Sequence, residues 1–594
     1  MLVTAGALPW LTVIARHGVL AVVAQVLTLV AAFHGAGQGI VRLTRRPPLH
    51  PLLAIQVGIA ALIAVSGFAI LFGIDRFAVQ VVVVLACAGL HCFLLVKDAS
   101  RYRDAIERIA AGSRIWMAPA CLLFAIAFVH VLGAAGDTGA RPFDDDGNVL
   151  AQLQRLRDTG MLGDPIGYPR HTQLGGQLAL TALATVPGDV HLARVMESLA
   201  FTLSVGLALW QLRIAERRGA LLGILLIAAA TALPFVQVDP STCWTAVGLI
   251  LAVHTLLQTA KSEDGVPLAL LVGALVTLRL ELAPIAITGL VVTLSASAMT
   301  RKRRAILVAV AASVVVPFVL AKSLSGEPGH ALLVDKRLPL LLALLVTAGT
   351  CIACAPVVVW TWRLERLRWY GVASSLAIAG IAGELTGDRP YALRFLWPVA
   401  FAGALILVIE AARAKSNATT MLLVALVLAL LIHDGRTATG RRRWPRRYLD
   451  LIDNIEYLSH HGASAPVTAS YGALLDKVPR GSVVGVWVTR PERLNYEAHR
   501  IVDLRTPRSA QLRTHRWNAH TSRLEKLARA AHVDVVLLER DDRRRQRIHD
   551  DAMYRLLCPV DSLACADDLE LVALKYRVIA QQDGVQLIDL RVAR

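Results

Sequence analysis

Arg141-Pro142-Phe143-Asp144-Asp145-Asp146-Gly147-Asn148 is a run of three adjacent carboxylates that begins just after an apolar helix ends. Adjacent like charges repel, so a fold keeps them only where solvent, a cation or a chemical task offsets the cost. A solvated acidic loop is the plain reading of such a run. Its place at a membrane surface argues for a task.

That surface is implied by everything around the run. The chain has 594 residues, 55% of them hydrophobic, a mean hydropathy of +0.55, and Leu/Val/Ala runs recurring from residue 18 to residue 433. This is the composition of a polytopic membrane protein with a water-soluble tail. The net charge of +18 could suit nucleic acid, but many Lys and Arg residues occupy short turns between apolar spans, where they orient helices. Nucleic acid is therefore not an expected partner. No basic stretch precedes the first apolar run and no small-residue cleavage site follows it, so no removable signal peptide is expected.

Four apolar runs, 18–41, 51–73, 77–96 and 115–135, are each long enough to cross a bilayer. Arg42, Arg45 and Arg46 follow the first, and Lys97, Arg101, Arg103, Arg108 and Arg114 follow the third, whereas Arg76 alone follows the second. By the positive-inside rule the fourth run leads outward and delivers Asp144–Asp146 to the extracytoplasmic face. Residues 149–158 place Val149, Leu153 and Leu156 on one face of a helix lying along the surface. Residues 174–186 are apolar but too short to span, and a second surface helix is expected there.

The pattern then predicts spans at 191–214, 219–238 and 241–260. The block 266–299 lies between Lys261 and Arg301-Lys302-Arg303-Arg304, so both of its ends read as cytoplasmic. That predicts a helical hairpin with Arg279, Glu281 and Pro284 at its bend, where ionisable groups are costly unless paired or lining a cavity. Spans at 305–322, 338–360, 371–385, 395–411 and 418–433 complete the membrane part. In the tail, 447–460 reads as helix, 482–488 and 533–539 as strands with a helix near 521–532, and a strand pair flanks Gln582-Asp583-Gly584. Arg436, Arg441, Arg442, Arg443, Arg446 and Arg447 by themselves would hold the tail inside; the agreement among the earlier turns puts it outside.

Of the eight cysteines, Cys87, Cys92, Cys121, Cys243, Cys351 and Cys354 lie in or beside apolar spans, where a thiol is a small hydrophobe. Cys558 and Cys565 are left in the tail and could pair in an oxidising compartment.

Carboxylates, fixed cations and a greasy cavity at an outer surface suit a transferase with a lipid-anchored donor. A carboxylate would take the proton of the attacking hydroxyl, with a divalent cation (Mg or Mn) as an optional aid, and Arg or Lys would stabilise the departing phosphate.

In order along the chain, Asp145-Asp146 in a long outer loop, Tyr168-Pro169 followed by Arg170, His191-Leu192-Ala193-Arg194 opening a long helix, Asp239 in a short outer turn, Leu278-Arg279-Leu280-Glu281, and Arg389-Pro390-Tyr391 with Arg394-Phe395 before Pro398 together resemble the GT-C superfold of membrane glycosyltransferases. That group includes the protein O-mannosyltransferases and the lipid A aminoarabinose transferases. The resemblance covers 115–433; three extra spans precede it, and the acid pair is Asp-Asp where many relatives have Asp-Glu.

The resemblance implies inverting displacement at an anomeric carbon, with a polyprenyl-phosphate-linked sugar as donor and a glycan, lipid or protein as acceptor. Asp145 or Asp146, with Asp144 beside them, would serve as base or metal ligand. Asp239 could share a cation with Asp145 and Asp146. Tyr168, Arg170, His171, Arg389, Arg394, Lys336 and Arg337 are the candidates for donor phosphate or substrate, and Asp239, Arg279 and Glu281 are secondary ones. The expected architecture is an all-α polytopic domain of about 13–14 membrane helices followed by a small α/β domain. Its parts are extra helices in 1–114, a GT-C-like core in 115–433 with first outer loop 136–190, and an extracytoplasmic domain in 434–594. The expected location is a bacterial cytoplasmic (inner) membrane. A lipid-linked sugar transporter or flippase, using Arg279 and Glu281 as a gate, and a non-catalytic envelope scaffold are the alternatives.

Overall fold

A computed structural model describes residues 18–44, 47–99, 114–137, 149–162, 174–186, 190–213, 216–232, 244–259, 265–279, 282–294, 300–324, 443–461, 471–488, 490–503, 532–539 and 572–593, with short stretches between 401 and 413 and residues 525 and 528. These residues form a helical bundle carrying a small sheet domain at the C-terminal end of the chain. Among them, six helices are long and apolar enough to cross a membrane.

The first three, α1 (Val19–Leu43), α2 (Pro51–Leu71) and α3 (Phe77–Lys97), pack through glycine. A Cβ placed on Gly58 of α2 would lie 1.7 Å from the Phe33 carbonyl oxygen of α1, and one on Gly37 of α1 would lie 1.8 Å from that of Ala54. On the other side of α1, Gly35 abuts the Cys87 carbonyl of α3. Lipid gives no hydrophobic drive between helices, so close backbone approach at small residues is what holds such a trio together.

α4 (Met117–Gly136) and α7 (Ala193–Leu212) are the next two long helices. α7 turns back into α8 (Glu216–Ala232), with Gly219 against the Leu212 carbonyl and Gly223 against Leu209. α9 (Trp244–Thr259) lies along α7. The expected hairpin forms from α10 (Gly265–Leu278) and α11 (Ala283–Leu294), with Val272 of the first lying at Gly289 of the second. The sixth long helix, α12 (Arg301–Leu324), runs beside α10 in the same direction, with Leu307 at Gly265 and Val314 at Gly273.

The bundle therefore has two distinct ends. Arg42, Lys97, Arg213, Arg301 to Arg304 and Arg413 gather at one of them. The α2–α3 turn, the end of α4, the starts of α7 and α9, and the α10–α11 bend gather at the other.

α5 (Ala151–Thr159) buries Leu153 and Leu156, in line with the face expected, and stops at Gly160 with φ 75°. α6 (Gly176–Ala184) corrects the expectation of a second surface helix: all its residues are buried, packed among α2, α7 and α10. Its polar side chains Gln177 and Thr181, one turn apart, bond inside the protein, to Glu197 and to the Gln177 carbonyl, and offer water no polar face.

The helix expected at 447–460 forms as α13 (Arg443–His461) and packs lengthwise on α4, where Gly133 and Gly136 admit Leu451 and the Asn454 carbonyl. The sheet has five strands in the order β2-β1-β3-β5-β4. β1 (Val483–Trp487), β2 (Arg500–Asp503) and β3 (Val535–Glu539) are parallel, while β4 (Tyr576–Gln582) and β5 (Val585–Ala593) form an antiparallel hairpin. Its turn sits where Asp583-Gly584 predicted, both residues having positive φ, as a two-residue turn between twisted strands requires. The helix α14 (Tyr471–Leu475) precedes β1 and covers the sheet. The count of 13–14 membrane helices depends on 325–400 and 414–442, outside the described residues.

Candidate functional site

Arg279 is the one candidate of the sequence reading that falls among the described residues. It follows the last residue of α10, is 2% exposed, and takes part in closing the hairpin bend through the Leu282 N–H to its carbonyl at 3.1 Å. Asp144, Asp145, Asp146, Tyr168, Arg170, His171, Asp239, Glu281, Lys336, Arg337, Arg389, Arg394, Cys558 and Cys565 lie outside the described residues. The three described cysteines, Cys87, Cys92 and Cys121, are free thiols.

Around Arg279 the structure assembles a polar cluster of which the sequence reading named only Arg279 and Arg194, in separate motifs. Glu197, on the first turn of α7, is fully buried. Its carboxylate accepts hydrogen bonds from the Gln177 amide of α6, from the backbone N–H of Trp244 at the start of α9, and from the Thr245 hydroxyl at 3.0 Å. The Arg279 guanidinium acts on the same carboxylate through space. Three residues earlier, Arg194 is also fully buried; it pairs with the Asp137 carboxylate at 3.1 Å and donates to the Asp137 carbonyl. Ser198 donates to the His130 carbonyl of α4 at 3.2 Å. A carboxylate in an apolar core is tolerated only when its lone pairs are taken up and a cation is near, and both conditions hold here. Phe201, Trp244 and Phe401 stack edge-on beneath, with ring centroids 4.6 and 5.2 Å apart.

A second polar network lies at the opposite, basic end. Glu410 faces His254 at 3.3 Å and Arg413 at 2.8 Å, Gln258 bonds to both Glu410 and Arg413, and Gln211 reaches Thr255 at 2.6 Å. It ties α7, α9 and the 401–413 segment together at that end.

The sheet domain docks on the end that carries Glu197. Ala151 of α5 is buried within the apolar cluster formed by Tyr471, Leu474, Val484, Val486 and Leu494. The Tyr496 N–H donates to Asp158 of α5 at 3.3 Å, and Gln154 holds the other carboxylate oxygen at 2.8 Å. Burial raises the Asp158 carboxyl above the usual range against the lowering effect of these bonds. α5 in turn rests on the α2–α3 turn, where a Cβ on Gly160 would lie 2.5 Å from the Gly73 carbonyl oxygen and the Arg157 guanidinium sits 4.5 Å from the centre of the Phe77 ring. Asp75 of that turn is 2% exposed, and burial pushes its carboxyl up to about 7.

Among the described residues no group of three or more His, Cys, Asp or Glu is disposed to hold a metal ion. No protein-family model matches the chain, and no curated protein matches it.

Proposed function

We propose that the chain is a membrane glycosyltransferase of the GT-C type, taking a sugar from a polyprenyl-phosphate donor. The observation that supports this most is convergence. Asp137, Gln177 and Trp244 meet on one turn of α7, with Arg279 acting on Glu197 there through space, and the stretches 138–148, 163–173 and 233–243, which carry the acidic run, Tyr168 to His171 and Asp239, lie beside these residues in the sequence. The basic end would face the cytoplasm by the positive-inside rule, so the opposite end and the sheet domain would be extracytoplasmic.

In this reading Asp145 or Asp146 removes the proton from the acceptor hydroxyl. Its oxygen forms a bond to the anomeric carbon as the carbon–oxygen bond to phosphate breaks, and polyprenyl phosphate leaves with the electron pair. Arginine or lysine on the same side offsets the charge on the departing phosphate. Inversion at the anomeric carbon follows from a single displacement.

The test is transfer from a panel of radiolabelled polyprenyl-phosphate sugars by the purified protein, with and without chelator. Asp145→Asn and Asp146→Asn should each abolish transfer while the thermal midpoint stays near wild type. Full transfer in both variants would end the assignment, and donor crossing liposomes without any sugar transfer would favour a transporter.

A further inference from the structure

Glu197 is placed too deep to meet a substrate: it has no exposed surface, and both carboxylate oxygens are taken by donors of the chain. What it touches is informative. Gln177 belongs to the first turn of α6, and Trp244 and Thr245 open α9, while Arg279, which follows α10, acts on it through space. Arg194, three residues before Glu197 and so on the same helix face, holds the residue that follows α4. Thr277 abuts Gly176, where an added Cβ would lie 2.2 Å from its hydroxyl oxygen, so the ends of α6 and α10 also touch directly. Buried ion pairs contribute little net stability compared with apolar side chains of equal volume, and their best-attested use is to fix one arrangement over others.

We propose that Arg194 and Glu197 are positioning residues: the first turn of α7 fixes the ends of α4, α6, α9 and α10 relative to one another, and thereby the geometry of the site that those ends surround. This deepens the glycosyltransferase reading and rests on it for the word site, but the mechanical claim stands on the contacts alone. A single carboxylate that three elements share couples them, because loosening one donor changes the position of the acceptor for the rest.

The test uses the full chain in detergent micelles. In Glu197→Ala, backbone amide exchange should quicken at least tenfold at 174–178, 244–247 and 279–282 together, with α1 to α3 unchanged. Glu197→Gln, whose amide oxygen still accepts from the Trp244 N–H while its NH2 donates to the Thr245 hydroxyl, should retain most of the protection. Should Glu197→Ala fail to accumulate, Gln177→Met serves instead: exchange should rise at 244–247, which share the Glu197 carboxylate with Gln177. Quickening confined to the substituted residue's own helix, in either variant, overturns the proposal. With a polyprenyl-phosphate sugar that wild type turns over, Glu197→Ala should lower kcat at least a hundredfold with the donor KM within threefold, and Glu197→Gln should restore it; an unchanged kcat in Glu197→Ala overturns the positioning role. A wild-type protein that transfers no sugar refutes the glycosyltransferase reading, and the exchange pattern still decides the coupling.

Discussion

Asp75→Asn should stabilise the protein at neutral and alkaline pH and erase a pH dependence that wild type shows. Asp75 is 2% exposed in the α2–α3 turn, and its Oδ2 has no hydrogen-bond partner among the described residues. Burial raises its carboxyl from 3.8 to about 7, against a lowering by Gln80. Over the window from 3.8 to about 7 the folded chain keeps a proton that the unfolded chain has released. The stabilisation from that proton is fully present below the window, declines as pH rises through it, and is gone above it. Roughly three pH units at about 1.36 kcal/mol each correspond to about 4 kcal/mol. Asn has the same shape and no proton to lose, and the Gln80 amide bonds the backbone carbonyl of residue 75, which the substitution leaves in place. The assay is thermal unfolding of the full chain in micelles from pH 4 to pH 8. Wild type should lose stability relative to the variant across that range, and the variant should be the more stable at pH 8. Parallel profiles, or an Asn variant weaker than wild type at pH 8, would refute the reasoning.

Two further outcomes follow from packing. Gly58→Ala forces a methyl to within 1.7 Å of the Phe33 carbonyl oxygen, so α1 and α2 must separate at a cost of about 1–3 kcal/mol; the thermal midpoint should fall, while Gly472→Ala, with nothing within 4 Å of the new carbon, should leave it unchanged. Ala151→Asp sets a carboxylate inside the apolar cluster of the sheet domain; a penalty of about 3 kcal/mol would free that domain and speed its limited proteolysis roughly a hundredfold.

Much of the bundle was legible because membrane helices announce themselves by length and by the charges at their ends. The α10–α11 hairpin was read from Lys261 and Arg301 to Arg304 alone, since one helix cannot return to the side it left. The β4–β5 turn was read from Asp583-Gly584, because few residue pairs accept two positive φ values. α6 was misplaced because shortness excludes a span without saying whether a helix lies on the surface or inside, and its Gln177 and Thr181 find partners within the protein rather than in water. Glu197 was passed over although an acid within an apolar helix is a signal in itself. Its partners stand 20 and 47 residues away, and no local pattern links them.

A helical bundle with a small sheet domain, and the runs that form its helices, can be read from the amino acids alone, because hydropathy and charge act within a window of about 20 residues. That one turn of α7 gathers the ends of α4, α6 and α9, and that the sheet domain rests on α5 at that same end, emerges only in three dimensions. Those contacts join residues far apart in the chain, and they exist because a buried carboxylate and buried guanidinium groups must find partners wherever the packing brings them.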